Sequence, residues 1–113
     1  MKLSEVAPDL CLDAVITCLL LLSTQRQAGV LAAGPLEDLI ADHSEHVIDR
    51  IETLARRSPR FRYLLTGVWS QGKDKSPVWQ RVVAAKGAGR HIGDDGPLPP
   101  IDDWLTAASP GSP

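Results

Sequence analysis

The sequence has few of the features that mark the common classes of small protein. Only three Trp, one Tyr and one Phe are present among 113 residues, and there are two cysteines. A small secreted domain held together by disulfides would carry more cysteines at close spacing. Lys and Arg total 12 against 14 acidic residues, so no positive excess favours general binding to nucleic acid or to membrane surfaces. The length allows at most one domain.

The two cysteines, Cys11 and Cys18, lie in the most apolar part of the chain. On one helix, seven positions correspond to ~10 Å along the axis, whereas a disulfide needs Cα atoms within ~7 Å. We therefore predict two reduced, buried side chains. The apolar run at 14–22 is shorter than the ~20 residues that cross a bilayer, and acids precede it, unlike a signal peptide. We expect a cytoplasmic protein without membrane contact.

Apolar side chains recur at helical spacing, which predicts an all-α fold: a small bundle of four to five short helices. Proline follows a serine or glycine at three breaks, which is typical of helix starts. The predicted helices cover about residues 8–24, 35–42, 45–57, 59–68 and 77–86. Residues 19–22 are apolar on every side, so we expect the first helix to be central. Residues 25–29 interrupt the pattern, and Gly34 is expected to end a helix before Pro35 opens the next.

The composition changes after Lys86, which divides the chain into a helical domain at 1–86 and a flexible tail at 87–113. The tail contains five Gly and five Pro, a composition that does not sustain regular structure. One apolar and acidic island, residues 99–105, includes Trp104. It can dock on the helices as a single turn, remain disordered, or bind a partner, and the sequence leaves these alternatives open.

Charge is divided unevenly along the middle of the chain. Five acids and no base lie between Gly34 and Asp49, whereas five arginines and one acid lie between Arg50 and Arg62. Two interpretations are open. The two blocks can pair as the helices fold back on one another, each exposed pair contributing ~0–1 kcal/mol. Alternatively, the second block forms a surface that binds a partner or RNA phosphates; its residues are Arg56, Arg57, Arg60 and Arg62.

Several separated blocks occur in the order seen in a known family. These are LAAGPLEDLI at 31–40, IDRIE at 48–52, PRFR at 59–62, VW at 68–69 and VWQRV at 78–82. With them, the chain resembles a family of small bacterial proteins described only as a domain of unknown function. The resemblance covers roughly residues 8–84 and implies a helical fold, but no activity or functional residue. Members of that family are usually longer at the N-terminus, so this chain looks N-terminally shortened.

One cluster carries side chains that could bind a metal: Asp42, His46 and Asp49 would share a face if their helix were continuous. However, Ser44 resembles an N-cap at that point, and the spacing is not that of an HExxH zinc site. We therefore predict a surface histidine at 46 and a helix-terminal one at His43. No cofactor or catalytic residue is expected.

These observations favour a non-enzymatic protein-interaction or regulatory module. We expect a protein partner or a homo-oligomer, and no nucleic acid. The candidate surfaces are the first helix's apolar face and a set consisting of Arg56, Arg57, Arg60, Arg62 and Trp104. Two alternatives are kept: a metal-dependent enzyme that uses Asp42, His46 and Asp49, and an RNA binder that uses the arginines.

Overall fold

The protein is an all-α bundle. The computed structural model describes residues 7–69, 76–87, 89, 91–94 and 96–108, and this part of the chain contains no strand. Its elements are α1 (Pro8–Leu21), α2 (Gln25–Leu31), a π-helical segment (Ala32–Leu36), α3 (Glu37–Arg57), α4 (Pro59–Leu65), α5 (Pro77–Lys86) and α6 (Asp103–Ala108). The predicted fold class is confirmed.

Two helix starts follow directly from the local sequence. The Ser58 hydroxyl accepts a hydrogen bond from the Phe61 amide at 3.1 Å, and the Ser76 hydroxyl accepts one from the Trp79 amide at 3.0 Å. In both cases a proline occupies the next position, where its missing N–H costs nothing. The predicted starts of α4 and α5 are therefore confirmed.

The segment between α1 and α3 differs from the prediction. Residues 25–31 form α2 instead of interrupting the helical pattern, because Thr24 and Gln27 make a reciprocal capping box. Gly34 does not end a helix: the chain continues through the π-helical segment into α3. The wider π-helical turn accommodates Pro35, which has no N–H to donate and would crowd a regular turn.

The second and third predicted helices are joined into α3. The backbone at His43 is not helical (φ −140°, ψ 33°), so α3 is kinked there. The break predicted at Ser44 is thus present, but it bends the helix and does not end it. As a result, the five acids at 37–49 lie on α3 together with Arg50, Arg56 and Arg57.

The core is built around α3, which packs against α1, α4, α5 and α6. Val47, Ile51 and Leu54 form much of its buried face. The prediction that α1 is central is wrong, because α1 buries one side and leaves another exposed. Cys11 on the inner side is buried, whereas Cys18 on the outer side is exposed, contrary to prediction; both are free thiols.

Of the tail, the structure describes residues 87, 89, 91–94 and 96–108, and Ile92 and Leu98 pack against the core of the helices. The helix of the tail, α6, packs against both α1 and α3, and Leu105 is fully buried. Burial of a leucine side chain contributes ~1.5–3 kcal/mol. The sequence left three alternatives open for residues 99–105: docking on the helices, disorder or binding to a partner. In the structure this segment docks on the helices, and its last residues belong to α6.

None of the helices formed by the described residues is long and apolar enough to cross a membrane.

Candidate functional site

Arg60 is the most buried of the arginines predicted to form an interaction surface, with 5% of it exposed. Its guanidinium donates three hydrogen bonds to main-chain carbonyls: Nε to Leu19 at 3.0 Å, Nη2 to Leu22 at 2.6 Å and Nη1 to Pro99 at 2.8 Å. The carbonyls of the last helical turn lack partners within the helix, so Arg60 satisfies the end of α1. Burial lowers the pKa of Arg60. Arg60 therefore joins α1 to the tail.

The other three arginines lie in two different places. Arg62 is half-buried and donates from Nη1 to the Ala55 carbonyl at 3.3 Å. It lines a shallow cavity of about 410 Å³ together with the exposed Arg56. Arg57 lies elsewhere, with its guanidinium 4.6 Å from the ring centre of Trp104. The structure thus brings Arg56 close to Arg62, and Arg57 close to Trp104, but it does not gather all four arginines into one patch.

Arg57 and Trp104 border a groove between α3 and α6, which we call the Arg57–Trp104 groove. The groove has a volume of about 450 Å³ and is lined by Asp49, Arg50, Thr53, Leu54, Arg57, Trp104, Ala107 and Ala108. Trp104 remains 53% exposed. The arrangement offers an aromatic ring, small apolar side chains and a cation at one solvent-accessible depression.

Two of the charged side chains in this groove are already in ion pairs. Arg50 binds Asp13 at 2.8 Å and Asp9 at 3.3 Å. Burial acts to lower the pKa of Arg50, but its hydrogen bonds to Asp13 and Asp9 outweigh burial and raise it. Asp49 binds Arg81 of α5 at 2.8 Å.

Arg81 also binds Glu52, so that one guanidinium bridges two acids of α3. Its hydrogen bonds to Glu52 and Asp49 raise the pKa of Arg81. These pairs link α3 to α1 and α5. The predicted pairing between the acidic and arginine blocks is therefore wrong for Arg50, Arg60 and Arg62, which bind acids of α1 or main-chain carbonyls.

The three side chains of the alternative metal site are separated by the kink at His43, since Asp42 precedes it and His46 and Asp49 follow it. In the described part of the chain, no three His, Cys, Asp or Glu side chains are arranged to hold a metal ion. Asp49 is bound to Arg81. The His43 and His46 rings lie edge to face with centres 6.1 Å apart.

A second contact between the tail and the helices was missed by sequence reasoning. The Ser58 hydroxyl donates to Asp102 Oδ2 at 2.7 Å, while Asp102 Oδ1 accepts from the Leu105 amide at 2.9 Å. Asp102 therefore caps α6 and binds Ser58 at the same time. Aspartate is a favoured N-cap residue, so Asp102 just before Trp104 and Leu105 could have indicated the cap. The contact with Ser58, 44 positions away, has no local signal.

An apolar depression of about 520 Å³ lies on the outer side of α1 and α2. Its apolar lining residues are Cys18, Leu21, Leu22, Val30, Leu31 and Pro35. Leu21 is 80% exposed and Val30 is 68% exposed. This is where the structure places the apolar face of the first helix that the sequence singled out.

Comparison with known proteins identifies a family but no activity. No curated protein matches the chain, and no solved structure matches it. A family model described as a family of unknown function (DUF6869) matches residues 1–89. That match includes α1 to α5 and leaves α6 outside it. Because it covers most of the sequence, the chain belongs to this family of unknown function.

Proposed function

We propose that the protein is a non-enzymatic interaction module that binds a partner protein through the Arg57–Trp104 groove. One observation carries the proposal: the Arg57 guanidinium lies over a half-exposed indole at the edge of an apolar depression. Trp and Arg are the side chains that most often dominate binding energy at protein interfaces. A partner that covers Trp104 would bury its remaining surface.

The charges at the groove indicate what kind of partner fits. Asp49 and Arg50 are neutralised by ion pairs with neighbouring helices. Arg57 makes no ion pair with any residue that the structure describes, and its contact is with the neutral ring of Trp104. The groove therefore presents one positive charge without an ionic partner among the described residues, that of Arg57, beside the apolar side chains that line it. We infer a partner segment that inserts an apolar side chain and offers a carboxylate to Arg57, because Arg binds carboxylates through two parallel hydrogen bonds.

The proposal includes a cytoplasmic location. Cys11 and Cys18 are both free, and free thiols persist in reducing compartments. RNA binding through the arginines has less support, because Arg60 and Arg62 already donate to main-chain carbonyls. That leaves Arg56 and Arg57, which lie in different depressions.

The test compares matched variants as immobilised baits, with bound proteins measured by quantitative mass spectrometry. We expect a specific protein to be retained by the wild type and lost at least tenfold by both Arg57→Glu and Trp104→Ala. Arg56→Glu is the control, since it makes the same charge change at an exposed position outside the groove.

Equal retention of every bound protein by all four chains would contradict the proposal. Light scattering on the free wild type shows whether the partner is a second copy. In that case the dimer should dissociate in the two groove variants and persist in Arg56→Glu.

A further inference from the structure

We propose that the surface beneath the tail is a peptide-binding site that the chain's own residues 99–105 occupy. The site accepts a partner segment of the same chemistry when the tail leaves. That segment supplies a free main-chain carbonyl, a carboxylate three positions later that caps a short helical turn, and a leucine three positions after that. We call this surface the tail seat; it consists of Ser58, Arg60 and the faces of α1 and α3 that cover Leu105. Ser58 and Arg60 do not line the Arg57–Trp104 groove, but the groove exists only while the tail is docked, because Trp104 lies on the tail. The tail seat is therefore a second surface, which becomes accessible only when the groove is absent.

The polar groups of the tail seat are held in place by the helices alone. Two of the three Arg60 hydrogen bonds go to the Leu19 and Leu22 carbonyls, which lie outside the tail, and only Nη1 is directed at the Pro99 carbonyl. Ser58 is likewise held by its bond from the Phe61 amide while it donates to Asp102. Donors that are fixed before binding lose little entropy when a ligand arrives, which favours affinity.

The tail itself is bound as a peptide ligand would be. Leu105 is its one fully buried hydrophobic side chain among the described residues, whereas Ile101 is 54% exposed and Trp104 53% exposed. Leu98 and Ala108 are partly buried against the core. The directional contacts are the Pro99 carbonyl with Arg60 and the Asp102 carboxylate with Ser58. One anchoring side chain with a few specific hydrogen bonds is the pattern of a helical turn docked in a groove.

The tail seat and its occupant come from different parts of the chain. The family match ends at residue 89, so Ser58 and Arg60 belong to the family domain and residues 99–105 lie outside it. The two parts are joined through Gly87 and Gly93, both at positive φ (65° and 105°), which glycine adopts without strain. A covalently linked occupant has a local concentration on the order of mM. The docked tail therefore excludes any partner segment that binds the tail seat more weakly than the linked tail does.

The test uses the full chain and a fluorescent peptide of residues 96–108. Leu105→Asp in the full chain should release the tail, because it would bury an unpaired charge. We expect this variant to bind the peptide at least tenfold more tightly than the wild type, as measured by fluorescence anisotropy. Ile101→Asp is the matched control: it makes the same change at an exposed tail position and should bind no better than the wild type. A peptide with Asp102→Ala should bind the released chain at least tenfold more weakly.

A second arm covers the case in which Leu105→Asp loses helicity by circular dichroism. A protease site inserted at residues 88–90 lets the wild-type chain fold before it is cut. The labelled peptide should then exchange with the cut tail, and excess unlabelled peptide should reverse the exchange. A helical Leu105→Asp chain, or a cut wild type, that does not bind the peptide would overturn the inference. Neither arm uses a cellular partner, so the result does not depend on whether a protein binds the Arg57–Trp104 groove of the docked form.

Discussion

At the scale of single residues, Arg60 shows how a charged side chain can act as a structural link. It lies almost fully buried, and every hydrogen bond found for it goes to a main-chain carbonyl. A planar guanidinium suits this task, because its five N–H groups point in fixed directions and can reach several acceptors at once. Lysine could not reproduce the three contacts with the same geometry.

Replacement of Arg60 by alanine should destabilise the fold. The change leaves the Leu19 and Leu22 carbonyls without these donors and releases the Pro99 contact. Loss of charged hydrogen bonds in a buried setting typically costs ~2–4 kcal/mol. Urea unfolding monitored by circular dichroism would measure the loss. Arg56→Ala is the control at an exposed position and should change the free energy of unfolding by less than ~0.5 kcal/mol. Equal effects of the two changes would contradict the assigned role of Arg60.

At the scale of helices, ion pairs link α3 to the helices that pack against its apolar face. Arg50 binds two acids of α1, and Arg81 of α5 binds two acids of α3. The uneven charge along the sequence therefore does not reflect pairing of the acidic block with the arginine block, which was one of the two interpretations. Arg50, Asp49 and Glu52 of α3 pair with residues distant in sequence, which lie on α1 and α5.

The ion pair between α5 and α3 should make stability depend on pH. The hydrogen bond from Arg81 lowers the pKa of Glu52 below its ordinary value of 4.5. The unfolded chain therefore binds more protons near that pH. The contribution of Glu52 is fully present above pH 4.5 and is lost as the pH falls through its folded pKa.

Unfolding measured from pH 7 to pH 3 checks this expectation. Glu52→Gln should be less stable than the wild type at pH 7, and the difference should shrink as the pH falls below 4.5. Salt should also reduce the difference, because the pair is at the surface. Glu45→Gln, on the same helix at an exposed position, is the control. A difference that stays constant across the range would refute the ionic contribution.

At the scale of the whole molecule, α3 connects the other helices through one shared core. Ile51 and Leu64 are fully buried in that core. A small domain gains little net stability from burial, since ordering each residue costs ~1.5 kcal/mol. Single disruptive changes at the centre should therefore affect the entire fold.

Ile51→Asp and Leu64→Asp should each unfold the bundle. An unpaired carboxylate in an apolar interior costs more than a typical domain can lose. We expect the helical signal to fall and the cooperative thermal transition to disappear. Val83→Asp is the matched control, because Val83 is 52% exposed on α5. Retention of helicity and of the melting temperature by both core variants would show that the core lies elsewhere.

Local patterns determined much of the fold. Serine followed by proline predicted the starts of α4 and α5, since both residues act on the neighbouring backbone. The spacing of Val47, Ile51 and Leu54 predicted the buried face of α3, because helical geometry alone sets which residues share a side. The kink near Ser44 was also predicted, although as a helix end.

Only the tertiary structure decided which partners these residues meet. Arg57 and Trp104 were both singled out from the sequence, but their contact spans 47 positions and depends on the docked tail. The three carbonyls that bind Arg60 come from α1 and from the tail, and a carbonyl has no side-chain signature in a sequence. Cys18 is exposed because α1 is covered on one side, and the run of apolar residues around Cys18 does not reveal which side that is. Short-range geometry determines helices, whereas packing between distant segments determines which surfaces remain free to bind.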